Sequence, residues 1–562
     1  MTDRNIRPDR VIIADRVHTV DSDNSTAEAV AISGRTIIAV GSRADVHSWD
    51  LSRAEVIELP GATLTPGFVD AHIHPIYGAE QLWRAVDLSG LDTLDELRTA
   101  IAAHAETLGP GGWIIGNRMP FHAFIGKTIR NEHFADIFGD LPAFLTFFDG
   151  HASIASEEAL RLAGITGPID FGNNSSIDVD EQGKPTGYLI ESNAQSLVRD
   201  VIPPLTLESR KVAVLAALEK FAASGYTGLH AMDFSETDIE VLQALEADGD
   251  LPVRVRISPM WRSMDDWETT FKRFVDLQGL GGRRWKVEGV KMMLDGTVEN
   301  GSAWLYESDI DGGGTLPYWV PSELYIRSVH ALIENGIPVV THAIGDRGVD
   351  FVLDVLESAP DLGRELVHRV EHVETIPDST VPRFKQLGVA ASMQPMHVLS
   401  TSADESDLWS IKLGKGTDRA HAKWRIKDIW ETGAIVALGS DWPVEEFDAR
   451  QVFATNITRK RPFTDQAPIR PDQGLDAEIT LRQFTQQVWA SIGEPWNGMI
   501  KPGAIADLAA FAGDPLTLDP EEFAATPVVL TVVGGRVAHR GSLQSDSLIH
   551  RTQSLHKTDN HS

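Results

Sequence analysis

Short runs in which hydrophobic and polar positions alternate with a period of two recur along most of this chain, the mark of strands with one covered face. Near the start, Val11 to Ala14, Ala29 to Ile32, Thr36 to Val40 and Val56 to Leu59 read as short strands, with a Ser33-Gly34 turn between the second and third. Near the end, Ala506 to Phe511 and Val528 to Val533 match them, and Gly534-Gly535 turns into Arg536 to Ala538. Neither end holds enough strands to bury a face alone, so residues 1–64 and 503–545 are expected to complete one composite β domain, a small β-sandwich.

Between them, over 65–502, the pattern yields strands around Asp70 and over Tyr226 to His230, Val253 to Ile257, Val287 to Leu294, Ile337 to His342, Val367 to His372, Val389 to Met393 and Ala434 to Asp441. Helical stretches such as Leu207 to Ala223 and Ser322 to Glu334 fall between several of them. Strands that alternate with helices in this way predict an α/β fold, a (β/α)8 TIM-type barrel. A crossover between neighbouring strands needs only about 30 residues, yet roughly 150 separate the first strand from the second. The interval from about 77 to 225 is therefore read as an inserted subdomain, placed to form a lid or pocket wall. It is rich in Phe and Gly and contains Asp149-Gly150-His151. The polar stretch 546–562 reads as a flexible tail.

Composition narrows the class. With 42% hydrophobic and 23% charged residues in 562, the chain is that of a globular protein with a sizeable core. No apolar run approaches the roughly 20 residues of a membrane helix. A net charge of −31, with no Lys/Arg cluster large enough to make a basic face, excludes a nucleic-acid partner and leaves a small molecule as the expected one. Without cysteine there is neither disulfide nor thiolate ligand, so a zinc ion would need nitrogen and oxygen donors. Met1-Thr2-Asp3-Arg4-Asn5 has no signal-peptide core, and the expected compartment is the cytoplasm. A homodimer is the expected assembly.

The candidate chemistry lies where the barrel strands end. In Phe68-Val69-Asp70-Ala71-His72-Ile73-His74, period-two counting puts Phe68, Asp70, His72 and His74 on one face, aiming both histidines at one point. Four later runs finish alike: Val290 to Gly296 carries Lys291, Pro338 to Ala343 carries His342, Val367 to His372 ends in His372, and Val436 to Asp441 ends in Asp441. Ligands at the carboxyl ends of strands are what a parallel barrel offers a cation. The same counting sets Arg369 and Glu371 on the outer side of the sixth strand. A lysine inside a barrel is costly to bury charged. Lys291 is therefore paired with Asp295 or Glu299, or reaches solvent, or has taken up carbon dioxide to become an N6-carboxylated, carboxylate-like ligand. His151 and His230 are candidates for touching a substrate and Trp304 for walling its pocket, whereas His330, His397 and His421 carry no such signal.

These motifs, in this order, resemble the metal-dependent amidohydrolase superfamily and, within it, the amidohydrolase-3 or YtcJ-like group. The resemblance implies a site for one or two divalent ions, zinc foremost. His72, His74 and Asp441 would hold one, His342 and His372 the other, with carboxylated Lys291 as the bridge. It implies a metal-activated hydroxide as nucleophile and Asp441 as general base and then acid. Asp295-Gly296-Thr297-Val298-Glu299-Asn300-Gly301-Ser302 is similar to the branch that hydrolyses N-substituted formamides. The expected reaction is hydrolysis of a carbon–nitrogen amide bond in a small molecule, with deamination or opening of a cyclic amide or lactone as the alternative on the same scaffold. A non-catalytic scaffold fits poorly, because every ligand position is filled.

Overall fold

The computed structural model describes residues 6–542 except 24, 110, 233–234 and 361–365, so the stretch read as a tail lies outside the described residues. Each expected barrel strand is present: Phe68–Ile73, Tyr226–Ala231, Arg254–Ile257, Val290–Met293, Val339–Ala343, Arg369–His372, Ala390–Met393 and Val436–Leu438. Neighbours pair in parallel, first with second with third, and fourth through eighth in turn. The third and fourth staves are each broken into two pieces. Met260–Trp261 continues the third and pairs with Lys291 and Met292, while Trp285–Val287 begins the fourth and pairs with Val255 to Ile257. At the other seam Asp441 N donates to His72 O at 2.8 Å and His74 N to Trp442 O at 2.9 Å, which joins the end of the eighth strand to the end of the first. The architecture is of the TIM-barrel type, and its helices cover the strands through one large apolar cluster that includes Val290, Met292, Leu294, Val370 and Leu438.

Both termini join one seven-stranded sheet, in which Leu508–Phe511 lies antiparallel to Glu55–Pro66 and Arg10–His18 runs parallel to it on the other side. The expected β-sandwich is thus corrected to a single sheet. It curls until Ile37 N donates to Ala504 O at 2.9 Å, and Ile12, Val30, Ile57, Leu64, Leu508 and Leu530 share its interior. Continuous strand pairing, rather than two facing sheets, closes that core.

The insertion is also a unit of its own, a six-stranded mixed sheet running from Val86–Asp87 to Pro185–Ile190 with separate apolar cores. It is narrower than the interval 77–225. Helix Pro75–Arg84 comes directly after the first strand and packs on helix Leu207–Ala223, which leads into the second, so both belong to the barrel's outer layer. Among the described residues no helix is long and apolar enough to cross a membrane.

Candidate metal centre

The first strand reaches the centre by breaking its own alternation. Phe68 faces away from the barrel, its ring 5.4 Å from that of Phe484 and 5.2 Å from that of Phe511, while Val69 and Ala71 pack with Ala437 and Trp489. The register against the second strand slips between Leu229 and Ala231, so Asp70 to Ile73 contain one residue more than their partner. Such a bulge re-aims the side chains beyond it. His72 and His74 then turn toward the site although Phe68 does not, which corrects the shared face expected for the strand. Asp70 secures the bulge: its carboxylate accepts the N–H groups of His72 and Ser440, each at 3.0 Å.

The sixth strand also departs from the expected register. Arg369 and Glu371, expected outside, are 1% and 0% exposed and occupy the barrel interior. Glu371 accepts from His72 Nδ1 at 2.6 Å and from Arg369 at 2.8 and 3.0 Å, and Arg369 also donates to Ala71 O at 2.6 Å and Ser392 Oγ at 2.9 Å. His372 would then face outward, but its φ of 75° turns it in. Asp441, three residues beyond the eighth strand, takes the same left-handed conformation with φ of 58°. Non-glycine residues adopt it at a cost, and it recurs at functional sites.

The donors converge. His72, His372 and Asp441 each offer a ligand atom within 4.8 Å of the others. Asp441 Oδ1 lies 2.9 Å from His74 Nε2 and 3.3 Å from His72 Nε2, and the ring of His372 is 4.6 Å from that of His72 and 4.4 Å from that of His342. Lys291, 2% exposed, lines the same cavity. Burial first, then the neighbouring histidines and Lys291, hold His342 and His372 well below the usual imidazole range, so both are neutral and able to ligate. Burial opposes ionisation of Asp441, but His72 and His74 outweigh it and hold its carboxyl well below the usual range. His342 Nε2 and His372 Nδ1 are buried without a hydrogen-bond partner among the described residues. Orphaned nitrogens around a carboxylate and a buried amine are what a cation would satisfy.

The cavity above these residues, about 240 Å³, is completed by the insertion through Asn117, Phe148, Asp149 and His151. His151 Nδ1 donates to Glu191 at 2.7 Å, and its ring lies 5.4 Å from that of His342. Burial alone would push the His151 imidazole down, yet the Glu191 and Asp149 carboxylates raise it to about 9. His230 is not brought to the cavity: it accepts from Arg369 at 2.6 Å and bonds Ser258 Oγ at 2.9 Å inside the barrel. Trp304 also packs elsewhere, edge-on to Phe351 at 5.0 Å and beneath the Arg347 guanidinium. His397, by contrast, is missed by sequence reasoning. Its Nε2 lies 3.4 Å from Asp441 Oδ2 and its ring stacks on His372 at 5.7 Å. It sits four residues beyond the seventh strand, and that position is the one signal the sequence offers.

A family model described as "Amidohydrolase family" matches residues 55–539. YtcJ of Bacillus subtilis is 28% identical over 539 residues, covering 94% of this chain and 98% of that protein. The N-substituted formamide deformylase of Arthrobacter pascens is 27% identical over 553 residues, covering 94% and 97%. Among solved structures, an uncharacterized metal-dependent hydrolase from Pyrococcus horikoshii shares the fold with a TM-score of 0.72 and 24% identity, over 91% of this chain and 99% of that one. Atrazine chlorohydrolase TrzN from Arthrobacter aurescens, crystallised with zinc, is similar at a TM-score of 0.53 and 15% identity, over 94% of each.

Proposed function

The chain belongs to the amidohydrolase family, and from that membership we propose a metal-dependent hydrolase that cleaves a carbon–nitrogen amide bond of a small molecule, most sharply an N-substituted formamide. The observation that carries this reading is the meeting of His72, His372 and Asp441 from three separate strands at one point. His72, His74 and Asp441 would hold one cation and His342 and His372 a second, with N6-carboxylated Lys291 between them. The all-nitrogen-and-oxygen donor set suits zinc, the metal crystallised with TrzN. Such a cation supplies acidity to a water and polarises a carbonyl.

The protein's own groups account for the remaining work. Ionised Asp441 accepts the proton of the attacking water and later delivers it to the departing amine nitrogen, so that the carbon–nitrogen bond breaks as a carbon–oxygen bond forms. His151 contacts the substrate from the insertion side, and the insertion acts as lid and wall. A cavity of about 240 Å³ favours a ligand below ordinary drug size. A formamide presents only hydrogen beyond its carbonyl carbon, and its deformylase is a relative across the full length.

The test pairs metal analysis with turnover on formamides, other amides, lactones and aminated heterocycles. At least one equivalent of divalent metal is expected, with release of formate and amine that chelation abolishes and added metal restores. Less than one equivalent, or full activity in Asp441→Asn, overturns the reading. Ammonia release from a heterocycle replaces the amide assignment with a deaminase.

A further inference from the structure

One buried carboxylate of the insertion has no part in the hydrolysis itself. Glu191 is 0% exposed and opens helix Glu191–Arg199 with φ of 66°, a strained backbone for a residue with a side chain. Its N–H donates to His151 O at 2.7 Å, its Oε2 accepts from His151 Nδ1 at 2.7 Å, and the hydroxyls of Tyr318 and Ser302 donate to the same carboxylate. Those hydroxyls stand on the long loop that leaves the Lys291 strand. Gly296 of that loop makes the room: a Cβ there would fall 2.2 Å from Glu191 Oε1 and 2.6 Å from Tyr318 Oη.

The loop grips the insertion at a second place. Asn300 Nδ2 donates to Asp149 Oδ2 at 2.6 Å, and Asp149 Oδ1 accepts the His151 N–H at 3.0 Å. His151 is thus held by its backbone through Asp149 and by its ring through Glu191, and it lines the cavity beside His342. The segment Asp295 to Ser302 is thus the clasp between the barrel and the insertion.

We propose that Glu191 is a positioning residue: it fixes the His151 ring so that Nε2 meets the amide group of a bound substrate on the side facing the cation ligands. The inference rests on the hydrolase reading for the identity of the substrate group. The hydrogen bond itself is observable in the resting protein. A purely structural Glu191, needed only to satisfy Ser302 and Tyr318, would act independently of His151, whereas a positioning one would not.

The full chain, labelled with ¹⁵N-histidine and free of substrate, should show a downfield Nδ1–H proton resonance that disappears in both His151→Asn and Glu191→Gln, with metal content unchanged. On N-benzylformamide each variant should lower kcat/KM by about ten- to a hundredfold, the range of a hydrogen bond to a charged group. The double variant should fall no further than the worse single one. Additive losses, or a Glu191→Gln protein with the wild-type resonance and rate, overturn the proposal. Should Glu191→Gln not fold, Tyr318→Phe loosens the same carboxylate and must shift the resonance; an unshifted resonance counts against the proposal. If the wild type hydrolyses none of the amide probes, the hydrolase reading falls, and the resonance alone decides whether Glu191 holds His151.

Discussion

At the scale of single residues, the site depends on carboxylates that aim histidines. Glu371 holds His72 by Nδ1 and is itself held by Arg369, which leaves Nε2 of His72 facing Asp441. A carboxylate behind a ligating imidazole fixes its tautomer and ring plane, and its loss costs about ten- to a hundredfold in metal affinity. Glu371→Ala should show that loss in a competition titration against a chromogenic chelator. His151 gives a pH prediction of defined sign. Its folded value of about 9 lies above the ordinary imidazole value of 6.5, so the pairing contributes fully below pH 6.5 and fades as pH rises through 9. Urea unfolding of the wild type and His151→Asn should therefore differ most near pH 6, by about 3 kcal/mol at most, and converge above pH 9.5. The opposite trend would mean that Glu191 does not hold an imidazolium.

At the scale of elements, the close approach of the first and eighth strands positions His72 and Asp441, two of the proposed ligands. A Cβ on Gly439 would stand 2.5 Å from His72 N and 2.9 Å from Asp70 Oδ1. Gly439→Ala must push the bulge away from Asp441, and such overpacking costs about 1–3 kcal/mol. Reduced cation affinity together with a lower midpoint of unfolding is expected, and unchanged affinity would show that the bulge does not aim His72. These two strands also show how far the sequence could be read. Around Lys291 the alternation holds, because Val290, Met292 and Leu294 all enter the outer core and the lysine is left inside. In the first strand the period is reset by a bulge that no local residue announces. In the sixth strand both Glu371 and His372 contribute to the site, which strict alternation forbids and a φ of 75° permits. The candidate donors and their order along the chain were legible because five of the eight strands each carry one. His72 with Glu371 and His151 with Glu191 were not, since partners 299 and 40 residues apart meet only through the fold.

At the scale of the whole molecule, the question is what joins the terminal sheet to the barrel. Arg254, first residue of the third barrel strand, donates to Asp507 at 2.6 and 3.2 Å, and the Asp507 carboxylate also accepts Gly534 N from the turn of the terminal hairpin. Arg284 reaches Val533 O at 2.7 Å beside it. Both partners of the ion pair are under one-tenth exposed, so removing one strands a buried charge, which typically costs about 3–5 kcal/mol. Asp507→Ala should lower the unfolding free energy by that amount, whereas Arg254→Met with Asp507→Leu should recover most of it, because the stranded charge is then gone. Arg254 begins its strand and most of the proposed metal ligands lie at or beyond the opposite, carboxyl ends of theirs, so folded Asp507→Ala protein should bind metal as tightly as the wild type. A loss of metal affinity in step with stability would instead mean that the two ends of the barrel are coupled, with the terminal sheet helping to shape the site.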